Sequence, residues 1–180
     1  EQSFENFSLD YYKNNLKSYD RMCKNLEFLK EYVAEFSPKT SKSILMMGGT
    51  GLGKTHLSSA VARGVIEKGY DVYYTGAIDL ISTFEVERFK SYSNEPNPLI
   101  ERYFESDLLI IDDLGTEIIN QFSVSTVYNL INDRLSRKKP TIISTNLSGD
   151  EIKQKYTDRI TSRLLGEYMV CFFMGTDVRA

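Results

Sequence analysis

The sequence predicts an α/β fold: a mostly parallel β-sheet with helices on both faces. Three observations lead there. Short apolar runs without interior charge, SILMM at 43–47, DLLIID at 107–112 and PTIIST at 140–145, have the composition of strands buried on both faces. Helix-patterned segments separate them, and strands that alternate with helices imply right-handed crossovers. A chain of 180 residues fits one domain with a sizeable core.

In chain order, Met22, Leu26, Leu29, Val33 and Phe36 recur at helical spacing until Ser37-Pro38 stops them, so a helix precedes the first strand. SILMM then meets a Gly-rich turn, and HLSSAVARGVIEKG reads as a helix closed by Gly69. DVYYT at 71–75 is a second strand, followed by a helix from 77 through 84 and onward. The strand at 107–112 leads to a helix over 123–138, and the strand at 140–145 to helical pieces over 149–166. MVCFF at 169–173 closes the sheet.

Composition narrows the function classes. With 41% hydrophobic and 26% charged residues, 11 Gly and 4 Pro, the chain is neither collagen-like nor disordered. A net charge of −3 argues against a dedicated nucleic-acid binder, so DNA contact would need a local patch. No apolar run approaches the roughly 18 residues of a membrane span, and no membrane association is expected. The start EQSFENFSLD lacks a basic region and apolar core, so no secretory signal is expected; Glu1 in place of Met suggests a piece of a longer protein. Cys23 and Cys171 stand apart and His56 has no Cys or His beside it, which fits a reducing, cytoplasmic setting without a zinc site.

Ligands of such sheets bind beyond the carboxyl ends of the strands, and there the sequence concentrates its chemistry. GGTGLGKT matches GxxxxGK[ST], a Walker A loop, through Gly48, Gly53, Lys54 and Thr55. The backbone of Gly48, Gly49, Thr50, Gly51, Leu52 and Gly53 would cradle the phosphates of ATP or ADP, at the positive end of the helix that follows, with His56 in its first turn. Lys54 would bridge the β and γ phosphates, and the Thr55 hydroxyl would ligate Mg²⁺. LLIIDD at 108–113 is an apolar strand ending in acids: Asp112 as the Walker B ligand of the same Mg²⁺, Asp113 as the base that polarises the attacking water, with Glu117 as an alternative base. Asn146, just past the fourth strand, is placed to touch the γ phosphate and that water. Arg159 and Arg163 lie at i and i+4 on one helix face, where arginines ordinarily meet only solvent or can reach a nucleotide held by a neighbouring subunit.

The segments GGTGLGKTHLSSAVA, LLIIDDLGTE, TIISTN and DRITSRLLG, together with FENFSLDYY and GYDVYYTGAIDLI, make the chain resemble AAA+ ATPases of the DnaC/DnaI bacterial replicative helicase-loader family over nearly its whole length. The resemblance implies a P-loop NTPase core with a five-stranded parallel sheet and little or no separate lid. It divides the chain into a leader and helix packed on the core, 1–37, and an AAA+ core, 38–180. It makes Asn146 the sensor I residue, favours Arg163 over Arg159 as arginine finger, and aligns Arg179 with a sensor II position. It further implies slow ATP hydrolysis dependent on self-assembly, single-stranded DNA binding, and action on the replicative helicase. Family members grip the helicase through a separate amino-terminal domain, and none precedes Glu1, so helicase binding is expected to be impaired here. In FEVERFKSYSNEPNPLIERYF, where initiator-type relatives face DNA, Arg88, Lys90 and Tyr92 are candidate contacts, whereas Arg137, Lys138 and Lys139 end a helix and are expected to offset its dipole. Transposition regulators of the IstB type, which assemble on double-stranded DNA, a small-molecule P-loop kinase, and a purely structural ATP-binding protein are the competing readings.

Overall fold

The computed structural model describes residues 2–90 and 97–177. Five parallel strands, β1 (Ile44–Met47), β2 (Val72–Gly76), β3 (Leu108–Leu114), β4 (Thr141–Thr145) and β5 (Met169–Phe172), form one sheet in the order β2-β3-β4-β1-β5. Among the described residues seven α-helices connect or flank them: α1 (Leu16–Ala34), α2 (Lys54–Glu67), α3 (Ala77–Phe89), α4 (Pro98–Glu105), α5 (Gln121–Ser136), α6 (Gly149–Lys155) and α7 (Asp158–Gly166). The two acidic and polar strand ends, β3 and β4, therefore lie on one side of the phosphate-loop strand, and every strand points its carboxyl end the same way. No helix among the described residues is long and apolar enough to cross a membrane.

Strand alternation sorts the apolar side chains into two layers. Leu45, Met47, Leu109, Ile111 and Ile143 face α3, α5 and α7 through Leu80, Leu130, Ile160 and Leu164. Ile44, Met46, Leu108, Ile110 and Ile142 face α1 and α2 through Met22, Leu29, Leu57 and Val61. Tyr12 and the partly buried Phe4 and Phe7 of the leader join this second layer, so leader, α1 and α2 share one core.

Helix starts are set by side-chain caps that satisfy otherwise unpaired amides. Asn120 and Ser148 form reciprocal capping boxes for α5 and α6, and Asn97 caps α4, whose first residue is Pro98. Asn15 accepts from the Ser18 amide, so α1 begins at Leu16, well before the apolar stripe that starts at Met22. The strand expected to end at 112 runs on to Leu114 and contains both acids. Pairing steps from Ile111↔Ile143 to Leu114↔Thr145, three residues against two, a bulge accommodated by Asp113 in the left-handed region at φ 56°.

Candidate functional site

The bulge places Asp112 and Asp113 beside the loop after β1. Gly53, at φ 82°, ends that loop, and a Cβ there would meet the Phe7 ring at 2.7 Å, so glycine is required both by conformation and by space. α2 begins at the next residue and directs its amino terminus at the loop.

Lys54 is 5% exposed. Its ammonium donates to Gly48 O at 2.6 Å, Gly49 O at 2.7 Å and Asn146 Oδ1 at 2.6 Å, which brings the end of β4 to the phosphate loop. Phosphate oxygens are stronger acceptors than these carbonyls, so the same ammonium can turn to them without leaving its place. Thr55 Oγ1 donates to Asp112 Oδ2 at 3.0 Å. Two hard oxygen donors thus meet at one point, the chemistry that suits Mg²⁺, which also keeps waters and phosphate oxygens. Asp112 Oδ1 accepts from the Ser144 hydroxyl, and the Asp113 amide donates to Ser144 Oγ at 2.9 Å. Ser144 escaped the sequence reading; its signal is its place in the strand beside the acids, two residues before Asn146.

A cavity of about 340 Å³ lies over the loop, lined by residues 50–56, Asp113 and Asn146. Leader residues, including Phe7, Tyr11 and Tyr12, line it as well. The Tyr12 hydroxyl donates to Leu52 O at 2.9 Å, and burial pushes its pKa up to about 12. His56 Nε2 lies 2.8 Å from Ser3 O, and its ring meets Phe7 edge-on at 5.2 Å, so His56 ties leader to loop. The leader's place in the cavity wall was not read from the sequence, although its aromatic residues were the available signal.

Glu117, the alternative base, points elsewhere: its carboxylate accepts from Gly115 N at 2.8 Å and from the Tyr156 hydroxyl. Arg163 is not in the cavity lining either. Its guanidinium donates to Asn132 Oδ1 at 2.6 and 3.0 Å and sits 4.9 Å over the Tyr128 ring, while Arg159 is exposed on the same helix. Arg88 lies over the rings of Phe89 and Phe122, at 5.9 and 5.1 Å, and Lys90 pairs with Glu87. Arg137 pairs with Glu105 and Asp133, and Lys139 with Glu105, which closes the end of α5. Tyr92 and Arg179 lie outside the described residues.

The sequence pattern of the family described as IstB-like ATP binding protein matches residues 11–169. The replicative helicase loader DnaC of Escherichia coli K12 is 25% identical over 152 residues, which are 84% of this chain and 61% of that one. An insertion sequence ATP-binding protein of Sinorhizobium fredii, itself described as putative, is 31% identical over 108 residues, 60% of this chain and 35% of that one. The chain thus spans about three fifths of the length of the loaders it matches. Among solved structures, the DnaC helicase loader superposes with a TM-score of 0.78 at 23% identity, covering 95% of this chain and 98% of that one. The replication initiator DnaA bound to AMPPCP and single-stranded DNA gives 0.74 at 23% identity, covering 97% and 50%. These likenesses establish a P-loop AAA+ fold. With a match that runs through the phosphate loop, both acids and α7, the chain belongs to the IstB-like ATP-binding protein family, and DnaC-type helicase loaders are among its relatives.

Proposed function

We propose that the chain is the ATPase module of a DnaC-like helicase loader, acting in DNA replication in the cytoplasm. The observation that carries this reading is the convergence of Lys54, the Thr55–Asp112 pair, Asp113 and Asn146 on one cavity. Lys54 and the loop amides bind the phosphates, while Phe7, Tyr11 and Tyr12 offer aromatic surface to the base. Thr55 and Asp112 would hold Mg²⁺, which would neutralise charge on the phosphate being cleaved. Asp113 takes the proton of the attacking water, and Asn146 orients that water against the γ phosphate. No arginine lines the cavity among the described residues, so a neighbouring copy completes the site, with Arg163 as the donated group. Arg88 and Lys90, at the end of α3, are the proposed contacts to single-stranded DNA, and the helicase is the assembly partner.

The test is phosphate release per chain across a wide protein concentration range, with Lys54→Ala as the blank and Arg163→Ala beside it. A specific rate that climbs with concentration and falls by roughly 10³ in Arg163→Ala supports the reading. A flat rate indifferent to Arg163 sinks the shared site. Phosphate appearing on an added nucleoside points instead to the kinase, and bound ATP that survives for hours to a purely structural binder.

The transposition reading has an observation of its own, the 31% identity to an insertion-sequence ATP-binding protein. Preference for double-stranded over single-stranded DNA, measured by anisotropy with both at equal length, would favour it.

A further inference from the structure

Glu117 and Tyr156 are each 5% exposed, and neither lines the cavity over the phosphate loop. Each carboxylate oxygen of Glu117 has one donor, Oε2 from Gly115 N at 2.8 Å and Oε1 from the Tyr156 hydroxyl. Among the described residues no ion pair reaches this carboxylate. Burying an acid with neutral donors alone is less favourable than an apolar pair of the same shape, so the group is best understood by what it joins.

One end of the pair is the acid turn. Gly115 follows β3 directly at φ 103°, and both the amide and the hydroxyl of Thr116 donate to Asp113 O, at 3.2 and 2.7 Å. The other end is the corner between α6 and α7. Tyr156 follows the last residue of α6, and Thr157 caps α7 by accepting from the Ile160 amide. α7 carries Arg159 and Arg163, and neither reaches the cavity of its own chain.

We propose that Glu117 and Tyr156 are positioning residues that set α7, and the arginine it presents to a neighbouring copy, against the Asp112–Asp113 end of β3. This rests on the shared-site reading above. The link makes each subunit's donated arginine responsive to the state of its own acid turn. Such a group is sensitive to placement, because a shift of about 1 Å in a reacting constellation costs roughly a hundredfold in rate.

The two routes by which Tyr156 acts on chemistry separate in mixed assemblies. One chain carries Lys54→Ala and donates arginines only; the other carries Arg159→Ala and Arg163→Ala and turns over only when completed by the first. Tyr156→Phe, which removes one hydroxyl, is then placed on either chain. On the donor it is expected to lower kcat by roughly tenfold with KM for ATP nearly unchanged; on the site chain it leaves the rate as it was. Amide exchange over 158–166 quickens in the variant, while that over β1 and β5 does not. Equal losses from both placements, a loss only on the site chain, or no loss at all overturns the proposal. An unmodified mix that releases no phosphate overturns the shared-site reading and this proposal with it, whereas turnover indifferent to where Tyr156→Phe sits overturns this proposal alone.

Discussion

Ser144 on β4 and Asp112 on β3 are joined by a hydrogen bond across the sheet, and the same serine oxygen accepts from the Asp113 amide. One fully buried hydroxyl therefore holds both acids at the bulge where β3 leaves regular pairing. Ser144→Ala leaves a carboxylate oxygen and an amide without this partner, at an expected cost of about 1–3 kcal/mol in stability. Because the bulge aims Asp113, kcat should fall by about tenfold while ATP affinity changes little. Urea unfolding together with a kcat and KM comparison checks this, and a loss confined to KM would count against it.

The leader makes a separable contribution. Phe7 and Tyr12 line the same cavity as Lys54, beside Gly53 and Leu52 of the phosphate loop. If their rings meet the base, Phe7→Ala weakens ATP by about three- to tenfold, the range of an aromatic pairing. Inorganic tripolyphosphate, which has no base, binds the variant as it binds the parent. Competition of each against a fluorescent nucleotide measures both; equal losses for the two ligands would mean that Phe7 supports the loop rather than the base.

What was legible in the sequence is what short-range chemistry dictates. Apolar runs of four or five residues marked β1, β3 and β4, and GGTGLGKT marked the loop, because glycine spacing and a following helix act within a few residues. Asp112 and Asn146 were legible because each follows an apolar run, and the site brings both to Lys54 and Thr55. Ser144 was not, because its partners lie 32 and 31 residues away and nothing local distinguishes it from any strand serine. The bulge at Asp113 depends on the register between β3 and β4, a relation between strands and not a property of either. The leader's place in the cavity wall escaped for the same reason: Tyr12 and Leu52 meet across 40 residues.

Alkaline pH should unfold the protein by a route the buried hydroxyls and thiol define. Burial pushes Cys171 from 9.0 up to about 11, and Tyr12 and Tyr74 from 10.0 up to about 12. The folded chain thus keeps protons that the unfolded chain releases first. With more protons bound in the native state, stability falls as pH rises. The loss begins as pH passes 9 through Cys171 and continues from 10 to 12 through the tyrosines. Urea midpoints at pH 8, 10 and 11 should decline in that order, and Cys171→Ala should flatten the first part of the fall. A midpoint constant to pH 11 would contradict the assignment.

Arg134 in α5 is 0% exposed and, among the described residues, has no carboxylate among its hydrogen-bond partners. Its guanidinium donates to the carbonyls of Tyr103 and Phe104 at 3.1 and 3.0 Å, to Ser106 O at 3.1 Å from both terminal nitrogens, to Pro140 O at 2.7 Å and to Thr141 Oγ1 at 2.8 Å. These acceptors are the carbonyl end of α4, which has no partner within its own helix, and the approach to β4, so one planar fork closes a helix terminus and fixes where a strand begins. Removing it strands several buried carbonyls at once, and Arg134→Met is expected to cost about 3–5 kcal/mol. Arg134→Lys keeps the charge but not the fork, and should recover only a minor part of that loss. The residue lines none of the nucleotide cavity, so the folded fraction of either variant should bind ATP as the parent does. Urea unfolding and nucleotide titration on the same samples separate the two effects: a stability change under 1 kcal/mol in Arg134→Met would show that the guanidinium does not hold α4 to the sheet, and a lysine variant as stable as the parent would show that charge suffices without the fork.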